Sequence, residues 1–243
     1  MFNEFGYKAS DKIILALDGM SSKSALSMVQ AIPDLVWVKV GLELFLSGGL
    51  DILSELRSQR KKIFLDLKFH DIPNTMERVC YQASKIGIDL LTVHGCSGTK
   101  ALIQSKNAAL RGAAEEGTPP PAILAVTVLT SWDQSSFKNN LKIDQTINER
   151  VIFLAKMASQ SGVDGCICSP MELEELRKIM PKEFILVTPG IREYKENLGD
   201  QQRVMTANQA ISAGANKLVI GRPITESKDP RKAFNRICKT IDK

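Results

Sequence analysis

Eight short apolar runs alternate with amphipathic stretches along the whole chain, and this alternation limits the possible folds more than any other feature. The runs occupy residues 13–17, 36–40, 63–67, 90–94, 123–129, 165–168, 185–187 and 217–220. Between them, apolar residues recur at helical spacing. Ala25, Met28, Val29 and Ile32 form one face; Val151, Leu154, Ala155 and Ala158 a second; Met171, Leu173, Leu176 and Ile179 a third. Strand followed by helix, repeated without interruption, predicts a parallel sheet. Its crossovers must be right-handed. Eight such units close most simply into a single (βα)8 TIM-type barrel of the α/β class, which typically needs roughly 250 residues. The chain has 243. A doubly wound open sheet is the alternative. No domain boundary is visible, so residues 1–243 read as one barrel domain. Hydrophobic residues make up 44% but aromatics only 6%, which predicts an aliphatic core of the kind parallel sheets build.

Two connections stand out. Thr118-Pro119-Pro120-Pro121 is a stiff connector before the fifth run, and residues 131–144 read as a long polar loop after it, on the side of a barrel where loops often act as lids. The net charge of +5, from 32 basic and 27 acidic residues, is mild and scattered. It suits a small anionic ligand better than a polynucleotide, and no nucleic-acid or membrane partner is expected. No segment reaches the ~20 consecutive apolar residues of a membrane span. Cys80, Cys96, Cys166, Cys168 and Cys238 are odd in number and contain no C-x-x-C pair. They read as reduced thiols in a cytoplasmic protein, with Cys166 and Cys168 as small core residues.

A barrel carries its functional groups at the C-terminal ends of its strands. Asp18, Lys39, Asp66, Lys68, His94, Thr130, Arg192 and Arg222 all fall at or just beyond the ends of the apolar runs. The densest segment is Asp66-Leu67-Lys68-Phe69-His70-Asp71-Ile72-Pro73-Asn74-Thr75. Strand alternation puts Asp66 and Lys68 on one face, with Leu65 and Leu67 toward the helices. Lys39, from the neighbouring strand, can join them, giving an alternating set Lys39, Asp66, Lys68, Asp71. Read from residue types alone, this set is either an active site or a buried salt-bridge network that fixes the barrel.

The same segment resembles the signature of the orotidine 5′-phosphate decarboxylase family. The resemblance extends through Ala16-Leu17-Asp18, Lys39-Val40-Gly41, Val187-Thr188-Pro189-Gly190-Ile191-Arg192 and Ile220-Gly221-Arg222-Pro223-Ile224, and so covers nearly the whole chain. The D-x-K-x-x-D core is shared with related phosphosugar decarboxylases and aldolases; the continuation through Asp71-Ile72-Pro73-Asn74-Thr75 is the specific part.

The resemblance implies conversion of orotidine monophosphate to uridine monophosphate without a cofactor. It implies that Lys68 protonates C6 of the pyrimidine, that Asp66 sits beside the departing carboxylate, and that Lys39 and Asp71 complete the charge array. It assigns Asp18 and Lys39 to the ribose hydroxyls, Thr130 to the pyrimidine side, and Arg192, Gln201, Gly221 and Arg222 to the phosphate. Asp71, Ile72 and Thr75 are expected to enter a partner subunit's active site, making the enzyme a homodimer with shared sites. Gly190 and Gly221 let the backbone approach the phosphate, and residues 191–203 are the expected lid. His70 and His94 are expected to hydrogen-bond within the barrel mouth, with no metal bound, because the lysines repel a cation. Two rivals remain at this level. One is a metal-dependent phosphosugar enzyme on the same scaffold, whose metal-binding glutamate lies near the position of Lys39. The other is a non-catalytic nucleotide-binding barrel.

Overall fold

The computed structural model describes residues 8–192 and 204–242. Its elements run β1 Ile13–Ala16, α1 Ser22–Ala31, β2 Trp37–Gly41, α2 Leu42–Ser58, β3 Lys62–Phe69, α3 Pro73–Lys85, β4 Leu90–His94, α4 Thr99–Glu115 and β5 Ala122–Val126. They continue through α5 Gln134–Leu141, α6 Ile147–Gln160, β6 Gly165–Ile167, α7 Leu173–Ile179, β7 Ile185–Thr188, α8 Ala207–Ser212, β8 Lys217–Ile220, α9 Arg222–Thr225 and α10 Pro230–Ile241. All eight strands are parallel and pair in chain order, and β8 returns to β1, so the sheet is a closed barrel. The open-sheet alternative is thereby removed.

Strand alternation sorts each apolar run into two cores. Ile14, Ala16, Trp37, Phe64, Leu90, Leu124, Val187 and Val219 fill the barrel interior. Their sequence neighbours, among them Ile13, Leu15, Val38, Val40, Ile63 and Leu65, pack outward in the layer shared with the helices. Both faces are covered, so the strands read as continuous apolar runs. By the same alternation Lys39 and Asp66 continue the inward rows of Trp37 and Phe64 and emerge at the C-terminal mouth.

Three expectations need correction. The fifth strand ends at Val126 rather than at residue 129, so Thr130 lies four positions beyond it. The Thr127 amide and hydroxyl both still donate to the Ile167 carbonyl, at 3.3 and 2.8 Å, and the chain leaves the ladder beyond that residue. The polar stretch 131–144 is not a plain loop. It contains α5, started by the Asp133 carboxylate accepting from the Ser136 amide and anchored by buried Phe137 against Trp132. The third predicted helical face is also shorter than expected. Leu173 and Leu176 are buried in α7, whereas Met171, in the preceding 3-10 turn, and Ile179 are exposed. None of the described helices is long and apolar enough to cross a membrane.

Candidate active site

The strand ends converge on a cavity of about 670 Å³ at the C-terminal mouth, within the range of small-molecule sites. Asp18, Lys39, Asp66, Lys68, Thr130, Gly190, Arg192, Gly221 and Arg222 line it. The charged side chains form a row of alternating sign. Lys39 Nζ lies 2.7 Å from Asp18 and 3.3 Å from Asp66, and Lys68 Nζ lies 2.8 Å from Asp66. Burial alone would raise the Asp66 carboxyl, but the charges of Lys39 and Lys68, with hydrogen bonds from Lys68 and Thr92, hold it below its ordinary value. Asp66 therefore stays ionised at neutral pH. The row lines an open cavity instead of being sealed in packing: the Lys68 side chain keeps 32% of its surface accessible, against 8% for Lys39.

Alternation alone does not place Lys68. Leu65 pairs with Leu91 and Phe69 with Val93, so β3 carries two extra residues against β4. Lys68 takes up the irregularity with φ +50°, a left-handed backbone that costs a non-glycine residue of order 1–3 kcal/mol and persists only where its surroundings enforce it. The enforcing group is Thr92, which is fully buried. Its hydroxyl accepts from the Lys68 amide at 2.9 Å and donates to Asp66 at 3.0 Å. Sequence reading passed over Thr92; the available signal was a lone hydroxyl inside the apolar run Leu90–His94.

Thr92→Val keeps the shape and removes both bonds. It is expected to destabilise the fold by about 1–3 kcal/mol, because the Lys68 amide loses its partner and Asp66 loses one of its three. The Asp66 carboxyl would then rise toward its ordinary value. A depressed carboxyl stabilises the fold above its unfolded pKa and loses that contribution as pH falls through the folded pKa. Acid unfolding should therefore begin at higher pH in Thr92→Val, and Thr92→Ser should restore the wild-type profile.

Gly41 follows from the same row. A Cβ there would stand 2.5 Å from Asp18 Oδ1 and 3.1 Å from Lys39 Nζ, so only glycine leaves room for the pair. Gly221 is different. A Cβ on it would meet only Ala16, at 3.5 Å, so packing within the chain does not require glycine, and its open face borders the cavity. Gly190 has φ +80°, which glycine adopts without strain. Arg192 is buried, donates to the Ile191 carbonyl at 2.8 Å and reaches the cavity wall. Arg222 stands exposed at the rim, at the start of α9. Thr225 and Glu226 also line this side, and sequence reading did not single them out.

Three expected residues do not meet this cavity from their own chain. Asp71 is exposed and its carboxylate accepts from the Ile72 amide, 2.6 Å away, instead of extending the charged row. Ile72 is 66% exposed, a large figure for an isoleucine, and Thr75 is half-buried on α3. The row within one chain is thus Asp18, Lys39, Asp66, Lys68. Gln201, and all of the expected lid except Ile191 and Arg192, lie outside the described residues. His70 and His94 stand side by side at the rim, with ring centroids 5.2 Å apart.

The chain is similar to known proteins over nearly its whole length. The model of the orotidine 5′-phosphate decarboxylase / HUMPS family matches residues 11–237. An orotidine 5′-phosphate decarboxylase of Prochlorococcus marinus is 54% identical over 235 residues, covering 97% of this chain and 98% of the relative. One from a Synechococcus species is 48% identical over 241 residues, covering 99% of each. Among solved structures, the orotidine 5′-phosphate decarboxylase of Lactobacillus acidophilus superposes with a TM-score of 0.83 at 36% identity, covering 96% of this chain and 100% of that one.

Proposed function

The chain belongs to the orotidine 5′-phosphate decarboxylase / HUMPS family, and from that premise we propose that it decarboxylates orotidine 5′-monophosphate to uridine 5′-monophosphate, a step of pyrimidine biosynthesis, with Lys68 protonating C6. The observation that carries this reading is the row Asp18–Lys39–Asp66–Lys68 along the wall of a nucleotide-sized cavity. Loss of carbon dioxide from C6 leaves a carbanion that the pyrimidine ring delocalises poorly. A fixed ammonium aimed at C6 stabilises that charge as it develops and then supplies the proton. Asp66, held ionised by its neighbours, sits where the substrate carboxylate leaves and favours its departure.

Within the family, Lys39 argues for decarboxylation without a metal. Its ammonium stands between Asp18 and Asp66, the two carboxylates that would otherwise be placed to share a divalent ion. In this reading Asp18 and Lys39 also hold the ribose hydroxyls, and Thr130 contacts the pyrimidine. Gly221, Arg222 and Arg192, which line the cavity, hold the phosphate, and the family resemblance adds Gln201 to them. Phosphate binding energy contributes to catalysis from that distance by organising the loops that close over the substrate. Asp71, Ile72 and Thr75 act in the neighbouring subunit of a cytoplasmic homodimer. The exposure of Ile72 and the absence of Asp71 from its own chain's charged row support that assignment.

Arg222→Ala is expected to lower kcat/KM for orotidine monophosphate by about 10- to 100-fold, the worth of a charge-assisted contact. It should leave the far slower reaction of the phosphate-free nucleoside nearly unchanged. Equal losses with both substrates would make Arg222 structural. The function itself is tested by adding the protein to orotidine monophosphate and following its ultraviolet absorbance. Steady loss, with uridine monophosphate as product, is expected. Tight binding of uridine monophosphate with orotidine monophosphate left intact would make the chain a binding module.

A further inference from the structure

His70, His94 and Cys96 come together from three consecutive segments at the rim of the barrel. His70 follows β3, His94 closes β4, and Cys96 lies in the 3-10 turn Gly95–Ser97. Cys96 Sγ is 3.9 Å from His70 Nε2 and 4.0 Å from His94 Nδ1, and the three donor atoms all lie within 4.8 Å of one another. A zinc ion with Zn–S of about 2.3 Å and Zn–N of about 2.0–2.1 Å holds neighbouring S and N ligands roughly 3.5 Å apart. The two sulfur–nitrogen distances exceed that spacing by about half an ångström, a gap that rotation of the exposed side chains closes.

We infer that His70, His94 and Cys96 form a site for a borderline-soft divalent cation, with Zn²⁺ as the fitting ion, and that its occupation slows turnover. Thiolate plus imidazole is the donor set that selects such a cation over magnesium or calcium. Three protein ligands leave a fourth position for water.

The expectation that lysines repel a cation here loses its force once their partners are counted. Lys68 is neutralised by Asp66, and Lys39 is shared between Asp18 and Asp66, so two ammoniums face two carboxylates. The cation remains outside that row and is no cofactor. It would inhibit by tying His70, two residues from Lys68 and adjacent to Asp71, to the end of β4, and by adding positive charge beside the proton donor.

The full-length protein, stripped with a chelator, is the material for the test. Zn²⁺ should bind with one ion per chain, and Co²⁺ in its place should give a thiolate-to-cobalt charge-transfer band. Turnover should fall as zinc fills the site and recover on adding chelator. Cys96→Ser should keep the basal turnover, lose the cobalt band, and weaken zinc binding and inhibition by at least about tenfold. His70→Gln should weaken both likewise. Cys238→Ser, which alters the other cysteine that is not fully buried, should behave as wild type. Unchanged zinc affinity in Cys96→Ser, or a cobalt band that survives it, would overturn the site. Zinc bound there with turnover unaffected would overturn the inhibitory role. Only that second half rests on the decarboxylase reading, because the binding measurements need no turnover.

Discussion

Lys68→Ala is expected to lower kcat/KM for orotidine monophosphate by at least about 10⁴-fold, combining a lost general acid with a lost electrostatic contact to the developing carbanion. The fold should survive. Asp66 keeps Lys39 at 3.3 Å and the Thr92 hydroxyl at 3.0 Å, so its carboxylate is not left buried without a partner. Alanine at φ +50° is no more strained than lysine. Circular dichroism and the thermal midpoint should therefore stay near wild type. A uridine monophosphate analogue with an anionic oxygen at C6 imitates the carbanion, so its affinity should fall along with turnover. Uridine monophosphate itself lacks that charge and should bind nearly as before. Retained turnover, or equal losses for both ligands, would remove Lys68 from its proton-donor role.

The second large effect concerns Asp71. Asp71→Ala is expected to be nearly inactive although, among the described residues of its own chain, the Asp71 carboxylate accepts from the adjacent Ile72 amide and does not join the charged row. Mixing it with Lys68→Ala distinguishes the two ways this can arise. A twofold dimer has two identical sites, each built from both chains. Random exchange makes about half of the dimers mixed. If Lys68 of one chain works with Asp71 of the other, each mixed dimer has one site with both lesions and one with none. Activity should then recover to about a quarter of wild type. If both residues serve the same pocket from the same chain, every site keeps a lesion and the mixture stays inactive. A dead mixture, with subunit exchange verified by mass labelling, would refute the shared site without touching the chemistry assigned to Lys68.

The barrel was legible because its strands are covered on both faces and so appear as compact apolar runs, while its helices keep the 3.6-residue period. Strand ends were legible only where packing alone sets them. The run 123–129 is apolar except for Thr127, and nothing local shows that strand pairing ends at Val126. Helix α5 was missed because its start depends on one carboxylate cap and its docking on one aromatic ring. At the site, the Asp66–Lys68 pair was readable from spacing, but the backbone that forms it was not. The β3 irregularity and the positive φ of Lys68 depend on Thr92 from the next strand, a contact 24 residues away in sequence. Asp71 was read into the row because it is close in sequence. The turn into α3 instead leaves it exposed and outside the lining of its own chain's cavity. Cys96 was set aside as one thiol among five, since only the fold brings it to the two imidazoles.

The central claim is that this charged row decarboxylates the nucleotide with no metal ion, and one measurement tests it most directly. The protein is dialysed exhaustively against a strong chelator, its metal content is checked by elemental analysis, and the conversion of orotidine monophosphate to uridine monophosphate and carbon dioxide is followed. Turnover undiminished in the metal-free protein, with the two products formed in equal amounts, is the expected result. Turnover that disappears on dialysis and returns with magnesium would contradict it, and would move the chain to the metal-dependent branch of its family.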